Sequence, residues 1–426
     1  MQKTIVKYRR SAIIPAGVRK VFKTLGPGLI TGASDDDPSG IATYSQAGAQ
    51  FGLSTLFTSV LTFPLMAGMQ EMCARIGLVT SQGLTATLKQ HYPKPFLYVM
   101  LLFSFPAITL NIGANIQAIG AVCHMIIPAV PVAVFCTGAT FLLMVVIIRY
   151  PYQKIAVILK WLCASLLLYI IVPFMVDQDW KKVAGDAIIP VIHYDKNFLS
   201  IIVAILGTTI SPYLFYWQAT MEAEERLHNN ILVIDKQILH NMRTDVGTGM
   251  FFSNVVMFFI ILTTGTVLYQ AGIRQIDTVD QAAKALEPLA GKLTYIVFAS
   301  GILGTGLLAI PVLTGAQSYM LAETLGWTEG LDKKFTQAKP FYISIVISLT
   351  AGLLLQFSGI SPFRALLYTA IVYGLTAPVL IAIVLHIGNN KKIMKENTNT
   401  WFANLLGIIT LVIMTAAAIA LIWSLL

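Results

Sequence analysis

Apolar runs of about 20 residues, the length needed to cross a bilayer's hydrocarbon core, recur along nearly the whole chain from residue 27 onward. In hydrocarbon each backbone N–H and C=O must find a partner within the protein, so a chain of this kind crosses as helices. Eleven spans are expected, at 27–50, 54–79, 96–124, 131–149, 152–176, 198–219, 247–271, 292–324, 340–357, 362–387 and 401–425. The eighth is too long for one simple crossing and should run beyond the bilayer. Only 12% of residues are charged, against about a quarter in soluble domains, and no room remains for a sizeable soluble domain.

Lys and Arg outnumber Asp and Glu, 29 to 20, but they lie in short segments between apolar runs, which points to membrane orientation and not to nucleic acid. The tail at 1–26 and the segments on its side of the membrane hold most of them. The opposite side holds Lys181, Lys182, Lys196, Arg274, Lys284, Lys292 and Arg364, and Lys160 falls within span five. This asymmetry predicts a multi-pass plasma-membrane protein with its N-terminus cytoplasmic and its C-terminus outside. No removable signal peptide is expected, and Cys73, Cys123, Cys136 and Cys163 fit buried free thiols. No nucleotide loop or hydrolase elbow is present, and the six histidines have no paired ligand spacing, so neither an enzyme, a resident cofactor nor a zinc site is indicated. No obligate protein partner is evident.

Segments 177–197, 220–246 and 272–291 are expected to be loops. The stretch "MEAEERLHNNILVIDKQILHNM" fits an amphipathic cytoplasmic connection, with Glu222, Glu224 and Glu225 solvated or, alternatively, forming an inner cation mouth. Glu71 and Arg75 have the spacing of an intrahelical ion pair. Pro311 either kinks span eight as a gate or is a packing feature.

Two spans carry helix-start signals in their middle. In "LGPGLITGASDDDPSGIATYSQAGAQFG", Asp37 precedes Pro38; a carboxylate caps backbone N–H groups and proline suits the first helical position. In "FLSIIVAILGTTISPYLFYWQA", Ser211 precedes Pro212. Breaks in spans one and six are the relation expected of a five-plus-five inverted repeat, with repeats at 27–176 and 198–387 and an eleventh helix at 401–425. Unwound backbone there presents carbonyls, hydroxyls and carboxylates, a set of oxygens that suits a hard cation. Asp37 is the expected charged ligand, with a simple cap as the alternative. Ser211 is equally well a cap, and Asp35 and Asp36 are expected to be solvated residues at the mouth of the pathway.

These breaks, together with "QEMCARIGLVTSQGL", "KQHYPK" and "NNKKIMKENTNTWFANLLGI", resemble the NRAMP family of divalent metal transporters. The resemblance implies an all-α, LeuT-like fold of eleven transmembrane helices with helices 1 and 6 broken. It also implies transport of a divalent metal, with ligands at Asp37, Gly40, Thr208 and Ser211. The family's D-P-G-N is here Asp37-Pro38-Ser39-Gly40, and its A-x-x-M-P-H is Thr208-Thr209-Ile210-Ser211-Pro212-Tyr213. The pattern is similar to the branch that includes magnesium transporters: the soft thioether is gone, Gly40 and Ser211 leave space for retained waters, and Thr208 still offers a carbonyl. Tyr213 stands at the family's histidine, and Asn111, Asn115 and Gln117 are neutral amides in span three, which argues against the family's proton route. Asn115 and Gln117 either bind the ion's waters or link helices. The alternative substrate is an organic cation or amino acid, held by the aspartates and by Tyr213, Phe215, Tyr216 and Trp217.

Overall fold

The computed structural model of the chain describes residues 26–150, 168–175, 177–193, 195–229, 233–287, 291 and 294–425. Most of the expected fifth span and residues 1–25 of the tail lie outside them. The described residues form helices and connecting turns, with no strand among them.

The first break follows its sequence signal. Helix α1 (Pro27–Asp35) ends where Asp36 leaves the helical region, and α2 (Pro38–Phe51) starts with Asp37 as an extended N-cap and Pro38 in its first turn. Gly52, at φ +60°, then turns the chain at a position that favours glycine. The axis swings by 108° into α3 (Phe57–Thr80). At 24 residues α3 has the length of a crossing, and the bend sets it nearly perpendicular to α2.

A short α4 (Leu84–His91) leads to α5 (Lys94–Ile126) and α6 (Val132–Arg149). The second half opens with α7 (Trp180–Ile188), then the second broken pair, α8 (Lys196–Thr209) and α9 (Pro212–His228). It continues with α10 (Lys236–Gln270), α11 (Thr294–Leu325), α12 (Lys339–Leu354), α13 (Pro362–Asn389) and α14 (Trp401–Leu425).

Among the described residues eight helical stretches, the α8–α9 pair counted as one, qualify as membrane spans by length and apolarity, or nine with the bent α2–α3 pair. Helix α11, at 32 residues, is about 48 Å long and extends past a core of about 30 Å, as expected of the eighth span. Three segments expected as loops contain helix. Trp180–Ile188 lies in the first, α9 and α10 occupy most of the second, and Val279–Ala283 lies in the third. Amphipathic turns here continue apolar ones, so hydropathy alone ended the spans too early.

The packing is reciprocal. Helices α1 and α2 lie against α10, whereas α9 lies against α3, and α3 and α10 pack on each other. The first broken pair thus rests on the helix that follows the second break, and α9 of the second pair rests on the helix that follows the first, while α8 packs chiefly on α13; the crossed contacts are those expected of two repeats of opposite topology.

Glycine makes the tightest of these crossings. A Cβ on Gly32 would strike the Gly249 carbonyl, and one on Gly77 would strike the carbonyl of Ala219. Replacing Gly77 by Ala is therefore expected to separate α3 from α9 and destabilise the protein by about 1–3 kcal/mol or more. Gly138 has open space around it, so Gly138→Ala should stay within about 1 kcal/mol of the parent. Melting of the two purified variants in detergent checks the contrast.

Candidate functional site

The two breaks meet at the centre of the bundle. Asp37, 1% exposed, uses one carboxylate oxygen for its own helix: Oδ1 accepts from the Gly40 backbone N–H at 2.9 Å and the Ser39 hydroxyl at 2.7 Å. The other oxygen faces α5. Oδ2 accepts from the side-chain amides of Asn111 at 3.0 Å and Asn115 at 3.3 Å. Asn111 and Asn115 are four apart, which puts both on one face of α5. The Asn115 amide also donates to the side-chain oxygen of Asn111, leaving its own Oδ1 buried without a partner beside the carboxylate.

Across the break lies α8. The Thr208 hydroxyl is 3.3 Å from that of Ser39, and Gly40 opens onto the same hydroxyl, where a Cβ would come within 3.5 Å. The Ser211 cap is corrected: its hydroxyl makes no bond to the start of α9 but turns back to the carbonyls of Thr208 and Gly207. The end of α8 exposes carbonyls in hydrocarbon, and a hydroxyl three or four residues on satisfies them. The Thr208 carbonyl is thus already engaged, with one lone pair left to offer. Tyr213 donates to the Ser34 carbonyl at 2.8 Å and ties the end of α1 to α9.

Asp35 and Asp36 are not solvated mouth residues: they are 1% and 5% exposed. Both face α10, where the Ser253 hydroxyl lies 2.8 Å from Asp35 Oδ2 and 3.2 Å from Asp36 Oδ1. The three aspartates therefore diverge, Asp37 toward α5 and the pair toward α10. Accordingly, no three His, Cys, Asp or Glu side chains among the described residues converge as metal ligands.

At the end of the bundle where the N-terminal tail enters, Asp245 of α10 accepts from the backbone N–H groups of Gly26 and Gly28 at 2.8 and 2.7 Å, and so caps α1 from outside its own chain segment. Beside it, α9 lines cavities of about 360 Å³ with Glu224 and Glu225 and about 240 Å³ with Glu222 and Glu225. The "MEAEER" stretch is helical and partly buried, not a solvated loop. Glu71 pairs with Arg75 as expected, and it also accepts from Arg243 at 2.9 Å.

Residues 28–424 match the family model described as natural resistance-associated macrophage protein-like, Nramp. The chain belongs to the Nramp family. It is 24% identical over 404 residues to the "Divalent metal cation transporter MntH" of Caldanaerobacter subterraneus subsp. tengcongensis, covering 94% of this chain and 93% of the relative. The protein of the same name from Klebsiella pneumoniae subsp. pneumoniae is 24% identical over 396 residues, 90% of this chain and 89% of that one. Among solved structures, the Eremococcus coleocola manganese transporter in complex with an aromatic bis-isothiourea substituted compound has the same fold. Its TM-score is 0.74 at 16% identity, covering 97% of this chain and 89% of that chain.

Within this Nramp fold, the residues expected from sequence separate into two groups. Asp37, Gly40, Thr208 and Ser211 come together at the facing breaks, with Asn115 beside them. Gln117 does not hydrogen-bond with them: it lies two residues from Asn115 in the same helix, so on another face, and its buried amide has no hydrogen-bond partner. Asn111, read from sequence only as a neutral amide, Ser39, read only as part of the break motif, and Ser253, which the sequence did not mark, all contact the aspartates. The four-residue spacing of two asparagines in an apolar span was the available signal for Asn111, whereas nothing in α10 marks Ser253.

Asn111→Ala is expected to remove a charge-assisted hydrogen bond worth about 1.5–3 kcal/mol, while Gln117→Ala removes no polar partner and should shift stability less. Melting temperatures with and without Mn²⁺ for the two variants test the difference.

Proposed function

We propose that this protein carries a divalent metal cation, Mg²⁺ or Mn²⁺, into the cell by alternating access, without the proton route usual in the family. Asp37 is the charged ligand in this reading. Gly40 makes room for water, Thr208 contributes a carbonyl or hydroxyl, and Ser211 an oxygen. The Oδ1 of Asn115, or water held by Asn111 and Asn115, completes an all-oxygen shell. The single observation that carries the proposal is the buried Asp37 carboxylate, held where two interrupted helices meet and ringed by oxygen and amide groups.

The chemistry favours hard ions. Magnesium keeps several waters and binds through one or two carboxylates, and the soft thioether that selects later transition metals is replaced by Ser211. The names of the relatives, divalent metal cation transporter and manganese transporter, support the substrate class. The relatives are named as transporters, in line with the absence of an enzyme motif. The membrane is taken to be the plasma membrane, with the Gly26 end cytoplasmic and the repeats at 27–176 and 198–387. An organic-cation substrate has less support, because the aromatic side chains of α9 diverge, Tyr213 reaching Ser34 of α1, Tyr216 reaching Ser104 of α5 and Trp217 packing beside Gly315 of α11.

Two outcomes are expected in proteoliposomes. Asp37→Ala abolishes flux of every divalent ion, and wild-type rates with Asp37 removed would eliminate the central ligand. In a panel of Mg²⁺, Mn²⁺, Ca²⁺ and Cd²⁺, Cd²⁺ competes no better than Mn²⁺, and imposing a pH gradient leaves the rate unchanged. Metal-driven luminal acidification would contradict the uncoupled mechanism.

A further inference from the structure

The proposed ion site has a wall that neither break motif supplies. Helix α13 packs on α2, α5 and α8, the elements that bring Asp37, Asn111, Asn115 and Thr208 together. Its height against α8 is set backbone to backbone. A Cβ on Gly207 would come within 2.1 Å of the Ala370 carbonyl oxygen and 2.2 Å of the Gly374 nitrogen, and one on Gly374 within 2.3 Å of the Val203 carbonyl oxygen. Only glycine permits so close an approach. Tyr373, next to Gly374, is therefore held at the level of Thr208, next to Gly207.

Tyr373 is fully buried. Its ring centroid lies 5.7 Å from that of Tyr213, and Asn111 and Asp37 are within electrostatic reach of its hydroxyl. Asn111 is turned to other partners, since its amide nitrogen donates to Asp37 and its oxygen accepts from Asn115. The Tyr373 hydroxyl consequently has no hydrogen-bond partner in the protein, and Asn115 Oδ1 has none either. Two buried oxygens on different helices thus keep unused accepting capacity beside one carboxylate. A tyrosine that served only to pack on Tyr213 would be better replaced by phenylalanine, because an unsatisfied buried hydroxyl is destabilising.

We propose that Tyr373 is a specificity-determining residue of the ion site: its hydroxyl oxygen accepts a hydrogen bond from water retained by a divalent ion at Asp37, which favours an ion that binds partly hydrated. Water on a cation turns its lone pairs to the metal and its hydrogens outward, so the surrounding wall must offer acceptors, and a phenol oxygen is one. Contact through water fits the chemistry of the group. The usual ligands of hard cations are carboxylates, carbonyls and water, not neutral phenols, and a bridging water is nearly as favourable as a direct bond. Magnesium, which dehydrates reluctantly and keeps several waters, gains most from such a wall. The inference rests on the divalent-transport reading for its ion and adds to it a residue that discriminates between ions.

The experiment uses Tyr373→Phe in the full-length protein, which keeps the ring and removes only the hydroxyl. Without divalent ion, its melting temperature in detergent should equal or exceed the parent's, because no hydrogen bond within the protein is lost. Tyr216→Phe, which gives up the 2.6 Å bond to Ser104, should melt lower. In proteoliposomes Tyr373→Phe should raise the KM for Mg²⁺ about three- to tenfold, the loss of one hydrogen bond, with little change in kcat. The KM for Mn²⁺, which sheds water more readily, should rise by a smaller factor.

An unchanged KM for Mg²⁺ overturns the role of Tyr373, and so does a rise shared equally by Mg²⁺ and Mn²⁺. A fall in melting temperature without ion as large as that of Tyr216→Phe also overturns it, since the hydroxyl would then be bonded within the protein. Each of these results leaves divalent transport standing wherever flux persists. A parent protein that moves no divalent ion removes both readings.

Discussion

The interruption between Asp35 and Pro38 is the constraint on which the centre of the molecule depends. A helix that stops in hydrocarbon leaves carbonyls at one end and N–H groups at the other, and neither can turn to water. Asp37 resolves the N–H end of α2 directly, through the bond from Gly40, and Ser39 adds a second bond to the same oxygen. The carbonyl end of α1 is met from another helix by Tyr213. At the second break Ser211 turns back on the α8 carbonyls. The N–H end of the first break and the carbonyl end of the second are thus closed from within their own motifs, and the carbonyl end of the first is closed by a residue of the second.

That division gives the two oxygens of Asp37 different tasks. Oδ1 is tied up in capping, so it fixes the carboxylate's position. Oδ2 meets only amide N–H groups of Asn111 and Asn115. Those amides belong to side chains that also carry oxygens, and rotation of an amide would exchange a donor for an acceptor. A cation arriving at Oδ2 can therefore recruit oxygen from the same asparagines that now neutralise the carboxylate. The Asp37 carboxylate is hydrogen-bonded without a cation, and Asn115 Oδ1, which has no partner, is an oxygen an arriving cation could take up, which a purely apolar surround would not offer.

Both breaks were legible in the sequence because Asp-Pro and Ser-Pro, set inside an apolar span, mark a helix start where an unbroken helix would carry neither. The spacing between them carried the repeat, and the reciprocal packing of α1 and α2 on α10 and of α9 on α3 agrees with it. The sequence misled where the chemistry was local but the partner was not. Asp35 and Asp36 look like mouth residues in a linear string, and only the third dimension supplies Ser253, 217 and 218 positions away. Ser211 has the identity of a cap and the geometry of a back-bond, a choice set by the free carbonyls behind it. Gln117 has the polarity of a ligand, but it lies two residues from Asn115 and therefore on a different face of α5.

The two ends of the path differ in what closes them. Toward the end away from Gly26, the space between Pro38, Ile41, Phe298, Ile302, Phe363 and Leu366 shrinks to about 10 Å³ and is apolar throughout. Toward the Gly26 end, the carboxylate-lined cavities begin beyond α1 and α9. Across the α1–α9 seam, hydrogen bonds run from Tyr213 to Ser34 and from Thr31 to Gln218. Against α10, in contrast, α1 is held backbone to backbone at Gly28, Gly32 and Gly249 and capped by Asp245. Exchanging those seam hydrogen bonds for water costs far less than parting a packed apolar plug. With Asp37 as the proposed ligand, movement that would free an ion toward the Gly26 end is therefore easiest if α1 leaves α9 while staying on α10, which carries Asp35, Asp36 and Ser253 together as one unit.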